Sequence, residues 1–252
     1  MKGLFIGINY IGQSCELRGC INDVKNMKNL YNKLYGLTTC KMLIDNNEGD
    51  GMPTKANILN GIKWLVSNTT SGEQLFFYYS GHGTYISDVN RDESDKNDEC
   101  IVPCDYQSSK FITDDVLRQE LILKCRTCYL FSVFDSCHSG TMLDLNYSCT
   151  PTGTIKKISQ NFEVNTKVHA ICLSGCRDDQ TSADTTETIN GSRTSCGALS
   201  WALFYALNVD KKISSRSLLN HVSDMLSKSK YSQKPQLSFD SFPRLDESVI
   251  KL

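Results

Sequence analysis

The chain has 252 residues, enough for one large α/β domain with a substantial core and short for two independent ones. Its 27 Lys and Arg nearly balance 28 Asp and Glu, and a formal net charge of −1 gives no electrostatic reason to expect nucleic acid or an anionic membrane as partner. No stretch approaches the ~20 apolar residues of a spanning helix. The apolar start Leu4-Phe5-Ile6-Gly7-Ile8 is too short for a signal peptide with its cleavage site, so a cytoplasmic protein is expected.

Short apolar runs alternate with helical patterns, which predicts a mainly parallel sheet covered by helices. The first strand is expected at 4–8. A helix follows at 20–35, with Ile21, Val24, Met27, Leu30, Tyr31 and Leu34 on one face and Gly36 as its stop. A second strand is expected at 41–44, and Thr54 caps a helix through Ile58, Ile62 and Leu65. The strand Leu75-Phe76-Phe77-Tyr78 leads straight into Ser80-Gly81-His82-Gly83. After a polar loop at 88–99 come a short strand, Ile101-Val102-Pro103, and a helix opened by Asp114-Asp115 that carries Val116, Leu117, Leu121 and Ile122. A strand at 128–134 ends in Asp135-Ser136-Cys137-His138-Ser139-Gly140. Residues 146–165 are polar and read as an exposed linker between two halves of one fold. A strand at 167–173, a long loop at 174–195, a buried helix at 198–207, an amphipathic helix at 215–227 and an edge strand near 236–238 complete the chain.

Twelve cysteines would suggest a disulfide framework in a small secreted chain. In a chain this large without a leader, mostly reduced thiols are expected, some of them (Cys128, Cys172) small hydrophobes in apolar runs. The pair Cys125-x2-Cys128 has no matching second pair and is a weak zinc or redox signal.

Two strands end in reactive side chains, His82 and Cys137. In a parallel sheet the carboxyl ends of the strands share one edge, where ligands bind. If the two strands are neighbours, an imidazole faces a thiol across that edge and takes its proton or stabilises its thiolate. Glycines beside both (Gly81, Gly83, Gly140) permit tight turns and close approach of a substrate, and backbone N–H groups after Cys137 could hold an oxyanion. His138 adjoins Cys137 in sequence, so its side chain should diverge and His82 is the better base. A cysteine phosphatase is excluded, because Ser136 precedes the cysteine and Leu143 stands where that chemistry needs Arg.

These motifs resemble those of the metacaspases, specifically type I. The resemblance rests on Tyr79-Ser80-Gly81-His82-Gly83, Asp135-Ser136-Cys137-His138-Ser139-Gly140, Leu17-Arg18-Gly19-Cys20-Ile21-Asn22-Asp23-Val24 and Asp178-Asp179-Gln180-Thr181-Ser182-Ala183-Asp184. It implies an α/β, caspase-like sandwich with a mixed, mostly parallel central sheet flanked by helices. It also implies one peptidase domain over 1–252, with a large-subunit-like part to about 145, the linker, and a small-subunit-like part from about 166. No N-terminal pro-region is expected, since the chain starts almost at the first strand. The implied activity is cysteine endopeptidase cleavage after Arg or Lys, activated by calcium, on protein or peptide substrates, by a monomer. His82 and Cys137 carry over as the dyad, and Asp23 and Asp135 as acids lining the pocket for the basic side chain, with Ser80 and Cys20 nearby. A carboxylate two residues from the nucleophile suits a cationic side chain through charge-assisted hydrogen bonds.

Asp98, Asp114 and Asp115 match the family's calcium positions, with Glu99 as neighbour. The acids Asp88, Asp92, Glu93, Asp95, Asp98 and Glu99 also crowd into twelve residues, and hard oxygen ligands suit Ca²⁺. The segment is not an EF-hand, because Glu93 replaces the required Gly and no helix precedes it. Lys156 and Lys157 in the linker are candidates for self-cleavage. The rival readings are a catalytically silent caspase-like scaffold, a calcium-responsive binding protein, and a legumain-like peptidase selective for Asn. The intact His82 and Cys137 argue against the first, and the acid pair and missing leader against the last.

Overall fold

A computed structural model describes residues 1–87, 97–125, 127–158, 168–175, 184–189 and 192–251. In chain order these form β1 (Lys2–Gly7), α1 (Cys20–Tyr35), β2 (Thr39–Ile44), α2 (Lys55–Val66), β3 (Gln74–Ser80), β4 (Gly83–Ser87), β5 (Asn97–Ile101), α3 (Tyr106–Ser109), β6 (Ile112–Thr113) and α4 (Asp114–Leu117). A π-helical turn (Arg118–Ile122) follows. Then come β7 (Tyr129–Asp135), β8 (Tyr147–Cys149), β9 (Ile155–Lys157), β10 (His169–Ser174), β11 (Asp184–Ile189), β12 (Ser192–Gly197), α5 (Ala198–Val209), α6 (Ser215–Lys228) and β13 (Gln236–Phe239). The acidic run at 88–96 and the motif at 178–183 lie outside the described residues.

The apolar runs are buried on both faces, which is what a sheet covered on two sides requires. On β3, Phe76 and Tyr78 enter one core while Leu75, Phe77 and Tyr79 enter the other. The first core is closed by α1, α5 and α6, the second by α2, α4 and the π turn. The central sheet has eight strands in the order β2-β1-β3-β7-β10-β13-β8-β9. Its first five are parallel and the last three pair antiparallel. The structure is thus the expected mixed, mostly parallel α/β sandwich.

The local signals in the first third act as anticipated. Gly36 takes φ 62° and donates its N–H to Asn32 O, closing α1. The Thr54 hydroxyl accepts from Asn57 N and starts α2.

Four expectations need correction. The tail strand β13 is interior, not an edge, because β8 and β9 pair beyond it. The described part of the 146–165 linker therefore contributes a hairpin to the sheet, with Cys149 and Ser148 buried. The supposed loop at 174–195 contains part of the β11–β12 hairpin. Cys125 and Cys128, given little weight from sequence, are paired as a disulfide, and the nine other described cysteines are not disulfide-bonded.

Candidate active site

The register of β3 and β7 places the two reactive residues. Ser80 pairs with Asp135, the last residues of adjacent parallel strands, and Gly81 N donates to Asp135 O at 3.3 Å. His82 and Cys137 each follow two residues beyond that last pair, so they leave the same sheet edge side by side. Their loops touch. A Cβ on Gly83 would lie 1.9 Å from the Cys137 carbonyl oxygen, so only glycine allows this approach. Cys137 and His82 are both half-buried.

The imidazole is held by its neighbours. His82 Nε2 lies 2.7 Å from Cys15 O. A carbonyl can only accept, so Nε2 carries the proton and Nδ1 is left as the basic nitrogen. The His82 backbone N–H donates to Tyr10 Oη at 2.9 Å, and Tyr79 Oη donates to His82 O at 2.7 Å. The Tyr10 ring lies 4.7 Å from the imidazole. Burial pushes the Tyr10 phenol well above its ordinary range, so it stays a neutral support. His138, the rejected base, packs edge-on against Tyr85.

Beneath this edge lie two buried carboxylates. Asp23, in the first turn of α1, accepts from Ser80 Oγ at 2.8 Å and from Gly197 N at 3.1 and 3.0 Å on its two oxygens. Asp135 accepts from Ser200 N at 2.9 Å and Ser200 Oγ at 2.6 Å, and Tyr78 Oη hydrogen bonds to the same Ser200 hydroxyl. Gly197 stands between the acids: a Cβ there would be 2.0 Å from Asp135 Oδ2. Their field is felt nearby. Burial, then the charge of Asp23, raises the Cys196 thiol to about 12, with Asp135 adding to it. Cys20 opens α1 one turn before Asp23 and is buried.

The geometry thus places a thiol, an oriented imidazole and an acid pair at one sheet edge. A family model described as metacaspase, peptidase C14 domain, matches residues 1–146. Proteins named Metacaspase-1 from Meyerozyma guilliermondii and Coccidioides immitis are 36% and 39% identical over 94% of this chain. The chain belongs to the metacaspase family.

Metacaspases are cysteine-type peptidases, and this one spans 68% and 61% of the length of those two relatives. Among solved structures, a protein of Geobacter sulfurreducens matches with a TM-score of 0.69 at 21% identity, covering 98% of this chain and 96% of its own. Caspase-1 of Spodoptera frugiperda matches at 0.57 and 14%, covering 94% and 85%. At such identities the likeness shows the fold alone, and that fold is caspase-like.

The other anticipated residues of this metacaspase lie on β5, α4 and β9. Asp98 and Glu99 are on β5, and Asp114 and Asp115 open α4, where Thr113 caps the helix. Asp98, Glu99 and Asp114 are buried. Asp114 Oδ2 accepts from Glu99 N at 2.9 Å, and Thr141 Oγ1 donates to Glu99 Oε2 at 2.5 Å. Burial, then the charge of Asp144, raises the Asp114 carboxyl to about 8. Burial and the charges of Asp114, Asp98 and Glu99 raise the Cys100 thiol to about 12. Among the described residues, no three His, Cys, Asp or Glu side chains are already arranged around a metal position. Lys156 and Lys157 are exposed on β9, where Lys156 pairs with Ser148 and Lys157 with Tyr147.

Sequence reasoning missed Cys15, Tyr10, Gly197 and Ser200. Cys15 acts through its backbone, so its residue type carries no signal. Gly197 and Ser200 had one: a glycine before a buried helix, and a lone hydroxyl in its first turn.

Proposed function

We propose that this metacaspase is an endopeptidase that cleaves after Arg or Lys, promoted by calcium. The observation that carries the reading is the buried pair Asp23 and Asp135 at the same sheet edge as Cys137 and His82. A long cationic side chain reaching that pair would make charge-assisted hydrogen bonds to carboxylates whose orientation Ser80, Gly197 and Ser200 already fix. His82 Nδ1 takes the Cys137 proton, and the thiolate attacks the carbonyl carbon of the scissile bond. Backbone N–H groups beside Cys137 steady the oxyanion, and Gly83 keeps that approach open. The imidazolium then protonates the leaving amine. Water, deprotonated by His82, hydrolyses the thioester and frees the enzyme.

Calcium is proposed at Asp98, Asp114 and Asp115, with Glu99 beside them. Carboxylate oxygens are the donors this cation takes; burial first, and then the charge of Asp144 on Asp114 and of Asp114, Asp98 and Glu99 on Cys100, push these two groups toward their neutral forms. A bound calcium would supply the positive charge that this crowding lacks. Glu99, bonded to Thr141, ties the cluster to the segment that follows Cys137. Self-cleavage after Lys156 or Lys157 is proposed with one condition: β9 must peel from β8 to enter a cleft in extended form. The same lysines make β9 a charged edge, which disfavours strand pairing between copies and supports a monomer.

The test is hydrolysis of an Arg-P1 fluorogenic peptide, with calcium or chelator, by wild type and Cys137→Ala. Calcium-dependent cleavage lost in the variant is expected. No cleavage under any condition would leave a silent scaffold. Calcium binding is read separately by thermal shift, expected in wild type and lost in Asp98→Ala. Intact mass after incubation with calcium checks self-cleavage; an unchanged mass rejects it.

A further inference from the structure

The segment after the nucleophile is strained and clamped. His138 has φ 48°, Leu143 φ 78° and Asp144 φ 46°, all in the left-handed region. For a bulky residue such as Leu143 this is a genuine outlier, which persists only where the surroundings hold it. Arg118 holds two of these residues directly, and two more side chains from distant parts of the chain hold the segment between them and Cys137. Arg118 Nη1 donates to Leu143 O at 3.1 Å and also to Asp144 O. Gln236 Nε2, on β13, donates to Gly140 O at 2.7 Å. Glu99 accepts from Thr141 Oγ1. Met142, Leu143 and Leu145 are buried below.

Arg118 is an unusual choice for such a task, because it is 3% exposed. A buried guanidinium is retained where its donors are needed. The π turn that starts at Arg118 widens the helix at this point, and such turns concentrate at functional sites. Burial works against its charge, and the carboxylates of Asp144, Asp240 and Asp115 offset part of that cost.

We infer that Arg118, with Gln236 on the other side, is a positioning residue that holds the segment Ser139–Asp144 and through it fixes the Cys137 turn for attack. The inference rests on Cys137 being the nucleophile, and it goes beyond the dyad, the acid pair and the metal cluster. Loss of the clamp lets Leu143 and Asp144 relax to ordinary backbone angles. The nucleophile then shifts by a fraction of an ångström to an ångström, enough to cost about 10- to 100-fold in rate.

The experiment compares wild type with Arg118→Met, Arg118→Lys and Gln236→Ala in three measurements. These are kcat and KM on the Arg-P1 peptide with calcium, the pH profile of Cys137 alkylation by iodoacetamide, and the melting temperature. In Arg118→Met, kcat should fall about 10- to 100-fold while KM stays within about threefold. Alkylation should slow, and its profile should move to higher pH. Arg118→Lys should recover part of both, and Gln236→Ala should show the same split at smaller size. Folded variants with unchanged kcat and unchanged alkylation overturn the inference. So does a loss of activity that only follows the melting temperature. If Arg118→Met fails to fold, Arg118→Lys and Gln236→Ala decide on the same terms. If wild type cleaves no basic peptide, slowed alkylation in the variants still supports the clamp, and only the substrate reading fails.

Discussion

Asp23 and Asp135 are 2% and 3% exposed, and Asp98, Glu99 and Asp114 are 5%, 2% and 2% exposed, so burial does not distinguish the two acid groups. Their partners do. The first pair accepts from neutral donors placed for it: Ser80, Gly197 and Ser200. The second group also has neutral donors, Glu99 N to Asp114 and Thr141 Oγ1 to Glu99, but there burial, and after it the charge of Asp144, outweighs them and pushes Asp114 up. A pair wired by neutral donors is oriented before a cation arrives. A crowd of acids holds protons, or a cation, to exist at all. The difference teaches that carboxyl groups of equal burial differ in electrostatic character according to the charges around them, and the two roles proposed for them rest on that difference.

The largest effect expected from breaking this contrast is at Asp135. Asp135→Asn keeps an oxygen to accept from Ser200 but removes the charge. A buried charge pair truncated on one side costs about 3 to 4 kcal/mol, so kcat/KM on Arg-P1 peptides should fall about 10²- to 10³-fold. A neutral-P1 peptide should be cleaved no worse than before. Equal losses on both peptides would mean that Asp135 supports the turn rather than the substrate.

The second effect concerns stability against pH in the chelated protein. Burial, then the charge of Asp144, pushes the Asp114 carboxyl up to about 8, well above the ordinary carboxylate range. Its folded pKa is raised, so its contribution is complete below about pH 4 and is lost as pH rises through about 8. At most about 1.4 kcal/mol is lost per pH unit. Melting temperature should therefore fall between pH 5 and pH 8 in wild type, and fall less steeply in Asp114→Asn. Parallel curves would remove the acid-crowding account.

How much of this was legible follows from the range of each interaction. Local signals were read directly: the Thr54 cap, the Gly36 stop, and the strands that carry His82 and Cys137. The acid pair was visible as two motifs, yet nothing local says that Gly197 sits between them, 174 residues from Asp23 in sequence. The β8–β9 hairpin was hidden because a short polar edge strand looks like a linker: Lys156 and Lys157 face solvent, and the burial of Cys149 and Ser148 comes with pairing to β13, far along the chain. Arg118 reads as an ordinary charged helix residue until the carbonyls of Leu143 and Asp144 meet it.

The smallest effect sharpens the comparison at one hydroxyl. Ser200 Oγ donates to Asp135 Oδ2 at 2.6 Å and is itself bonded to Tyr78 Oη. Ser200→Ala removes the side-chain donor and leaves the backbone N–H of residue 200 in place. A hydrogen bond to a charged group contributes about 1.5 to 3 kcal/mol, and only the part felt on substrate binding reaches kinetics. A loss of about tenfold in kcat/KM on Arg-P1 peptides is expected, carried mainly by KM, since the dyad is untouched. Tyr78→Phe is the control. It removes the hydroxyl that orients Ser200 but not the donor on Asp135, so its effect should be smaller still. If Tyr78→Phe matches or exceeds Ser200→Ala, Tyr78 rather than Ser200 sets the carboxylate, and the neutral wiring of the acid pair runs one residue deeper than the contacts on Asp135.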